Sequence, residues 1–238
     1  QYMKYAAIIA IILSSSFGLY TWMNNPESQM VAVTVRAGSK AEMALPDGTF
    51  VHLNAATNLE YDVNNSKQRL VKLSGEAFFD VAKNPDCPFK VIINDLQIEV
   101  VGTSFNVKTY KKDIVETSLL SGRIRISGGS LPHEYTLSPG QKATYSAMDR
   151  TLRISKADAH VEAGWRDNYL IFESTPLIDV IAQIERWYGV EIRLHHKQIA
   201  QDLLSGSFRN ESIQNVIRSL SIQYGFKYEI HKDIITIY

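Results

Sequence analysis

The chain is poor in the features that announce chemistry. It has a single cysteine, Cys87, so it makes no internal disulfide, and no Cys/His pair stands at zinc-finger spacing. It has no charge of one sign in excess: 25 Lys+Arg balance 25 Asp+Glu, and no run of Lys/Arg exceeds two residues. A neutral surface without a basic cluster argues against nucleic-acid binding. No Gly-Lys-Ser/Thr ending follows a glycine-rich turn, which removes a phosphate loop; residues 102–106 (GTSFN) are a glycine bend instead. Long hydrophobic runs are lacking but for one, and helical periodicity is almost absent from residue 31 to 156.

That one run, residues 5–23, carries no charge and holds Ile8, Ile9, Ile11, Ile12 and Leu13 at its centre. As a helix rising about 1.5 Å per residue it nearly spans a hydrocarbon core of roughly 30 Å. Tyr5, Tyr20 and Trp22 lie near its ends, where amphipathic rings favour the interface, and Lys4 precedes it. The expectation is a transmembrane anchor over 1–23 with a cytoplasmic N-terminus, then a linker over 24–30. A signal peptide cut near Ser14-Ser15-Ser16 is the rival, but the run stays apolar to Trp22, which favours an anchor. Both readings export the remainder. A first residue of Gln1 suggests a piece of a longer chain.

Beyond the anchor the pattern has period two. Apolar residues alternate with polar ones over 31–35, 49–53, 69–73, 77–81, 89–93, 97–101, 105–109, 114–119, 123–126, 142–145 and 152–154. Pro46-Asp47-Gly48, Asn64-Asn65, Asn94-Asp95, Gly128-Gly129 and Pro139-Gly140 separate these segments with turn chemistry. Many short strands predict an all-β domain over 31–160, solenoid- or sandwich-like. Residues 75–81 (GEAFFDV) and 102–107 (GTSFNV) are its centre of gravity.

Helices are expected only after Trp165, and there the chain repeats. An offset of 36 residues superposes Phe172 on Phe208, Val180 on Val216, Ile181 on Ile217, Ile184 on Leu220, Tyr188 on Tyr224 and Gly189 on Gly225. In the first copy Leu177, Val180, Ile181, Ile184 and Tyr188 fall on one helical face. Gly189 and Gly225 stand where a left-handed residue closes a helix, and Ser212 where a side chain caps the second. Strands are expected over 190–194 and 226–230. Residues 165–238 thus read as βαβ written twice, with a closing strand over 234–237 and two helices on one small sheet.

Several residues invite a sharper interpretation. Glu76 and Asp80 are a carboxylate pair, but at i and i+4 on a strand they stand roughly 13 Å apart, too far for a glycosidase. His195 and His196 point to opposite faces of a strand, a poor geometry for one metal. No residue is assigned to catalysis, metal or cofactor. Trp187 and Arg186, at the end of the first tail helix, suit a junction or a partner interface, since Trp and Arg are enriched at hot spots. A closing strand with an open edge, carrying Ile234, Ile235 and Ile237, would accept a partner's strand.

Residues 45–54 (LPDGTFVHLN), 71–81 (VKLSGEAFFDV), 88–91 (PFKV), 101–107 (VGTSFNV), 119–123 (LLSGR), 137–143 (LSPGQKA) and 185–190 (ERWYGV) resemble, in order, the FecR family of sigma-factor regulators in the form common in Bacteroidetes. The doubled tail resembles the short N-terminal domain of secretins and TonB-dependent receptors. The resemblance implies a non-enzymatic, single-pass inner-membrane anti-sigma factor with residues after about 24 in the periplasm. It implies two protein partners. One is the signalling domain of a TonB-dependent outer-membrane receptor. The other is an extracytoplasmic-function sigma factor, held by a cytoplasmic segment upstream of Gln1. The rivals are an exported secretion-scaffold protein and a β-solenoid enzyme acting on polysaccharide, which would need Asp and Glu converging across neighbouring strands.

Overall fold

The structure is a computed structural model that describes Tyr5 and residues 12–20, 29–63, 69–195 and 197–238. Residues 12–20 are helical. Most of the expected anchor and linker, and the Asn64-Asn65 turn, lie outside the described residues. No helix among those described is long and apolar enough to cross a membrane.

Alternating segments of the first two thirds pair into two seven-stranded sheets. The first holds, in spatial order, β1 (Met30–Val35), β4 (Thr57–Asp62), β5 (Arg69–Ser74), β7 (Phe89–Ile93), β8 (Leu96–Val100), β11 (Ile124–Gly128) and β12 (Tyr135–Leu137). The second runs β2 (Ala41–Ala44), β3 (Phe50–Leu53), β6 (Glu76–Asp80), β9 (Ser104–Lys108), β10 (Ile114–Ser121), β13 (Gln141–Ser146) and β14 (Thr151–Lys156). Neither sheet closes, and both grow in the same direction as the chain passes back and forth between them. Every pairing is antiparallel except β5 with β7.

The inner faces make one core. Val51, Leu53, Ala77, Phe79, Phe105 and Val107 come from the second sheet and meet Leu59, Val71, Phe89, Val91, Ile98 and Ile126 from the first, all at 1 % exposure or less. Phe79 stacks on Phe105 at 5.2 Å and reaches across to Phe89 at 5.8 Å, tying the layers together. Such aromatic pairs contribute about 0.5–1.5 kcal/mol beyond their buried area. The architecture is a β-sandwich wound in solenoid fashion. Gly75 makes the corner before β6 at φ +115°; a Cβ there would lie 2.5 Å from Thr57 Oγ1, so the strands admit no side chain.

A short helix α1 (Ala159–Ala163), capped by the Asp158 carboxylate on the His160 N–H, and a 3-10 turn (Gly164–Asp167) leave the sandwich. Helix therefore begins before Trp165, earlier than periodicity indicates, because five residues are too few to show a period. The tail follows as β15 (Tyr169–Pro176), α2 (Leu177–Tyr188), β16 (Glu191–Leu194), β17 (Leu203–Arg209), α3 (Ile213–Tyr224), β18 (Tyr228–His231) and β19 (Ile234–Ile237). Gly189 and Gly225 close the two helices in the left-handed conformation, and Ser212 Oγ accepts the Asn215 N–H. Leu177, Val180, Ile181 and Ile184 of α2 and Val216, Ile217 and Leu220 of α3 form the second core with Phe172, Leu204, Ile235 and Ile237.

The tail corrects the sequence reading in its sheets. It has two, not one. The first strands of the two repeats, β15 and β17, pair with each other antiparallel, and the later strands form a separate sheet in the order β16-β19-β18. β19 is parallel to β16 and antiparallel to β18, so the closing strand is central and both its edges are occupied.

Candidate functional site

The molecule's densest polar chemistry lies where the tail meets the outer face of the second sheet. On a strand, Phe78 and Phe79 must point to opposite faces; Phe79 fills the core, so Phe78 must be covered from outside. The cover is the segment after the sandwich. Phe78, Ala163 and Trp165 form a third apolar cluster, with Leu120 and Trp187 packed against it. The Arg166 guanidinium lies 3.6 Å above the Phe78 ring.

Beside this cluster a hydrogen-bonded chain crosses the junction. The Glu76 carboxylate, 7 % exposed, accepts from Asn54 Nδ2 at 2.8 Å and from Asn106 Nδ2 at 3.0 Å. Asn106 Oδ1 accepts from the indole Nε1 of Trp165 at 3.1 Å. The Trp165 carbonyl accepts from Lys40 Nζ at 2.6 Å, which also donates to Asn168 Oδ1 at 3.0 Å and lies 3.7 Å above the Trp187 ring. Lys40 is exposed as a residue, and these partners cover its ammonium only in part. That partial burial lowers its pKa to about 8, against the opposing pull of Glu76.

Two more contacts bind the end of α2. Gly38 N–H donates to the Arg186 carbonyl at 2.8 Å. The Arg186 guanidinium lies 4.1 Å above the Tyr110 ring, and Tyr110 OH donates to the Ala55 carbonyl at 2.6 Å. Burial first, and Glu76 second, hold the Tyr110 phenol above its usual pKa; burial holds Arg186 below that of free arginine. Further along, Lys111 Nζ bonds Asp179 Oδ2 at 2.7 Å. Lys142 meets Glu116 at 3.0 Å and Glu162 at 2.9 Å, and Ser118 donates to Glu162 at 2.9 Å, which fastens α1 to β10 and β13. Burial alone would raise Glu116, but Lys108, Lys142 and Lys111 outweigh it and its pKa falls below the usual value. These groups border a polar cleft of about 320 Å³.

The residues singled out from sequence divide into two groups. Trp187 and Arg186 are both half-buried in this junction, joined to the sandwich through Lys40, Gly38 and Tyr110. Ile235 and Ile237 are each 1 % exposed in the tail core and offer no side chain to a partner; Ile234 is half-buried. β19 presents no open edge, because its backbone is paired with β16 on one side and β18 on the other. Glu76 and Asp80 do not converge: Glu76 is bound as above, and Asp80 accepts from Ser104 Oγ at 2.8 Å. His195 stacks on Tyr238, and His196 lies outside the described residues. Among the described residues no group of three or more His, Cys, Asp or Glu could hold a metal ion.

Sequence reasoning missed Lys40, Gly38, Glu76, Asn106 and Tyr110 as junction residues. A signal existed for the β6 pair alone: two adjacent phenylalanines on a strand require cover on both faces.

Comparison with known proteins adds three findings. The model described as FecR protein matches residues 31–125, and that described as FecR, C-terminal matches residues 169–237. No curated protein matches the chain. Two crystal structures of a protein from Parabacteroides distasonis ATCC 8503, assigned by name as an anti-sigma factor, share the fold at 30 % identity. One has TM-score 0.79 and covers 87 % of this chain and 98 % of that one; the other has 0.80, 88 % and 99 %.

Proposed function

Because the chain belongs to the FecR family, we propose that it is a sigma-factor regulator of the anti-sigma type, acting through protein contact and without catalysis. Its partner on the cytoplasmic side is an extracytoplasmic-function sigma factor. Residues 5–23 anchor it in the inner membrane, the remainder lies in the periplasm, and the signal is delivered by the signalling domain of a TonB-dependent outer-membrane receptor. The observation that carries this reading is the correspondence, over nearly the whole of both chains, with a protein assigned as an anti-sigma factor.

The docking site we propose lies on strands of the tail other than β19. Among the described residues β19 is enclosed, while β16 and β18 are the edges of their sheet and β15 and β17 each leave one side unpaired. β17 is the most open: Leu203 is 62 % exposed and Gly206 has nothing within 4 Å of where a Cβ would be. An unpaired strand edge accepts a partner strand by backbone hydrogen bonding.

Two experiments test the proposal. In cells, deleting the gene should change transcription from sigma-dependent promoters, and removing residues 169–237 should abolish the response to the receptor's ligand. Unchanged transcription on gene deletion would refute the regulatory role. In solution, the receptor's signalling domain should protect amides of β16, β17 or β18 from exchange; protection confined to the sandwich would refute docking on the tail.

A further inference from the structure

The turn at residues 36–40 has one end in each sheet. It leaves β1 of the first and enters β2 of the second, and its middle is gripped by the tail rather than by the sandwich. Gly38 N–H donates to the Arg186 carbonyl, and Lys40 is held by the Trp165 carbonyl, Asn168 and the Trp187 ring. The contact is backbone to backbone. Gly38 (φ +77°) and Gly189 (φ +68°) face each other so closely that a Cβ on Gly38 would lie 3.2 Å from the Tyr188 carbonyl oxygen. One on Gly189 would lie 3.2 Å from that of Ala37. Both glycines have a positive φ, and a Cβ at either would press on the facing backbone.

Of the two strands that the turn joins, β2 is a four-residue edge strand beside β3, and β1 is the one that leads back toward the apolar stretch. Among the described residues β1 is an edge strand, paired only with β4 over Met30 to Val35. Val31 and Val33 are half-buried and only Val35 is fully buried, whereas β7 and β8 are flanked on both sides and buried at every second residue. A strand with one neighbour and shallow side chains opens at a small fraction of the global stability. β1 also begins close behind the apolar stretch: the six residues 24–29 span at most about 20 Å when extended.

We propose that the 36–40 turn is the coupling element of the molecule. Docking of the α2 C-terminus on this turn holds β1 in its sheet, and loss of that docking releases β1, lengthening the tether between the sandwich and residues 5–23. Two other junction contacts, Lys111 with Asp179 and Lys142 with Glu162, fasten α2 to the loop after β9 and α1 to β13 and do not touch β1, so they supply the control.

Hydrogen exchange on the full chain resolves this without sigma factor or receptor, so its failure is separate from any failure of the proposed function. Lys40→Met, which keeps the stem and removes the ammonium, and Trp187→Ala should each speed exchange of the β1 amides roughly tenfold or more. Amides of β6 and β9 in the core should be unchanged. Lys111→Met should leave β1 as in the parent. Three results would overturn the proposal: parental β1 exchange in both Lys40→Met and Trp187→Ala; β1 and the core strands accelerating together; or Lys111→Met releasing β1 as much as Lys40→Met does.

Discussion

Single side chains at the junction do work that their neighbours cannot take over. Glu76 satisfies two asparagine donors in a buried site at the wall of the cleft, so Glu76→Ala leaves both amides short of an acceptor. The expected loss is about 1–3 kcal/mol, read as a fall of several degrees in Tm and a red shift of Trp165 fluorescence as the indole loses its fixed Asn106 partner. The charged groups make pH predictions of opposite sign. Glu116 has a folded pKa below its usual 4.5, so its ion pairs contribute stability present above that value and lost as pH falls through the folded pKa. Lys142 is raised, because Glu116 and Glu162 outweigh its burial, so its contribution is lost only as pH rises through a folded pKa above 10.5. The stability advantage of the parent over Lys142→Met should therefore hold across neutral pH and vanish in acid. Lys40 runs the other way. Its folded pKa of about 8 lies below the ordinary 10.5, the unfolded chain binds more protons between those values, and stability should rise across that interval in the parent but not in Lys40→Met.

At the scale of elements, the corrected place of β19 has a measurable consequence. Ile235 and Ile237 are core residues of a central strand, and Ile235→Ala should cost about 2–5 kcal/mol, while Ile234→Ala should cost about 1 kcal/mol or less. A urea-unfolding series separates the two. What the sequence revealed of the elements, and what it hid, follows from their length and patterning. The helices α2 and α3 were legible to their capping residues because each carries three turns of amphipathic period, and the 36-residue repeat doubles the signal. Strands such as β7 and β8, with three buried apolar residues in alternation, were equally legible, within a residue or two at their ends. β2 (Ala41–Ala44) and β12 (Tyr135–Leu137) were not, being too short for a period, and β4 (Thr57–Asp62) has only Leu59 and Tyr61 as apolar members. Strand partners were hidden for a different reason. Alternation says which face a strand buries but not beside which strand it lies, so the exchange of β15 and β17 between repeats, and the central position of β19, could not be inferred.

For the whole molecule, two separate cores are joined by a third cluster around Trp165. At 6 % exposure Trp165 is the plug of that joint, and Trp165→Ala should cost about 3–5 kcal/mol. The parent should unfold in one calorimetric transition; the variant should show two, as tail and sandwich part company. The joint itself was nearly invisible in the sequence. Trp187 and Arg186 drew notice as residues suited to contact, but their partners Gly38, Lys40 and Tyr110 lie in turns and strand ends far away along the chain, where no periodic pattern marks them.

The strand order carries one last implication. Each strand lies against one that came shortly before it in its own sheet, so the sandwich can be assembled as it is threaded, first end first, with no early segment waiting for a distant late one. Under the export proposed above, such a layout is an advantage, since the unpaired edge stays at the growing end. β12 and β14 close that end, and the tail arrives last, after the surface it grips has been laid down.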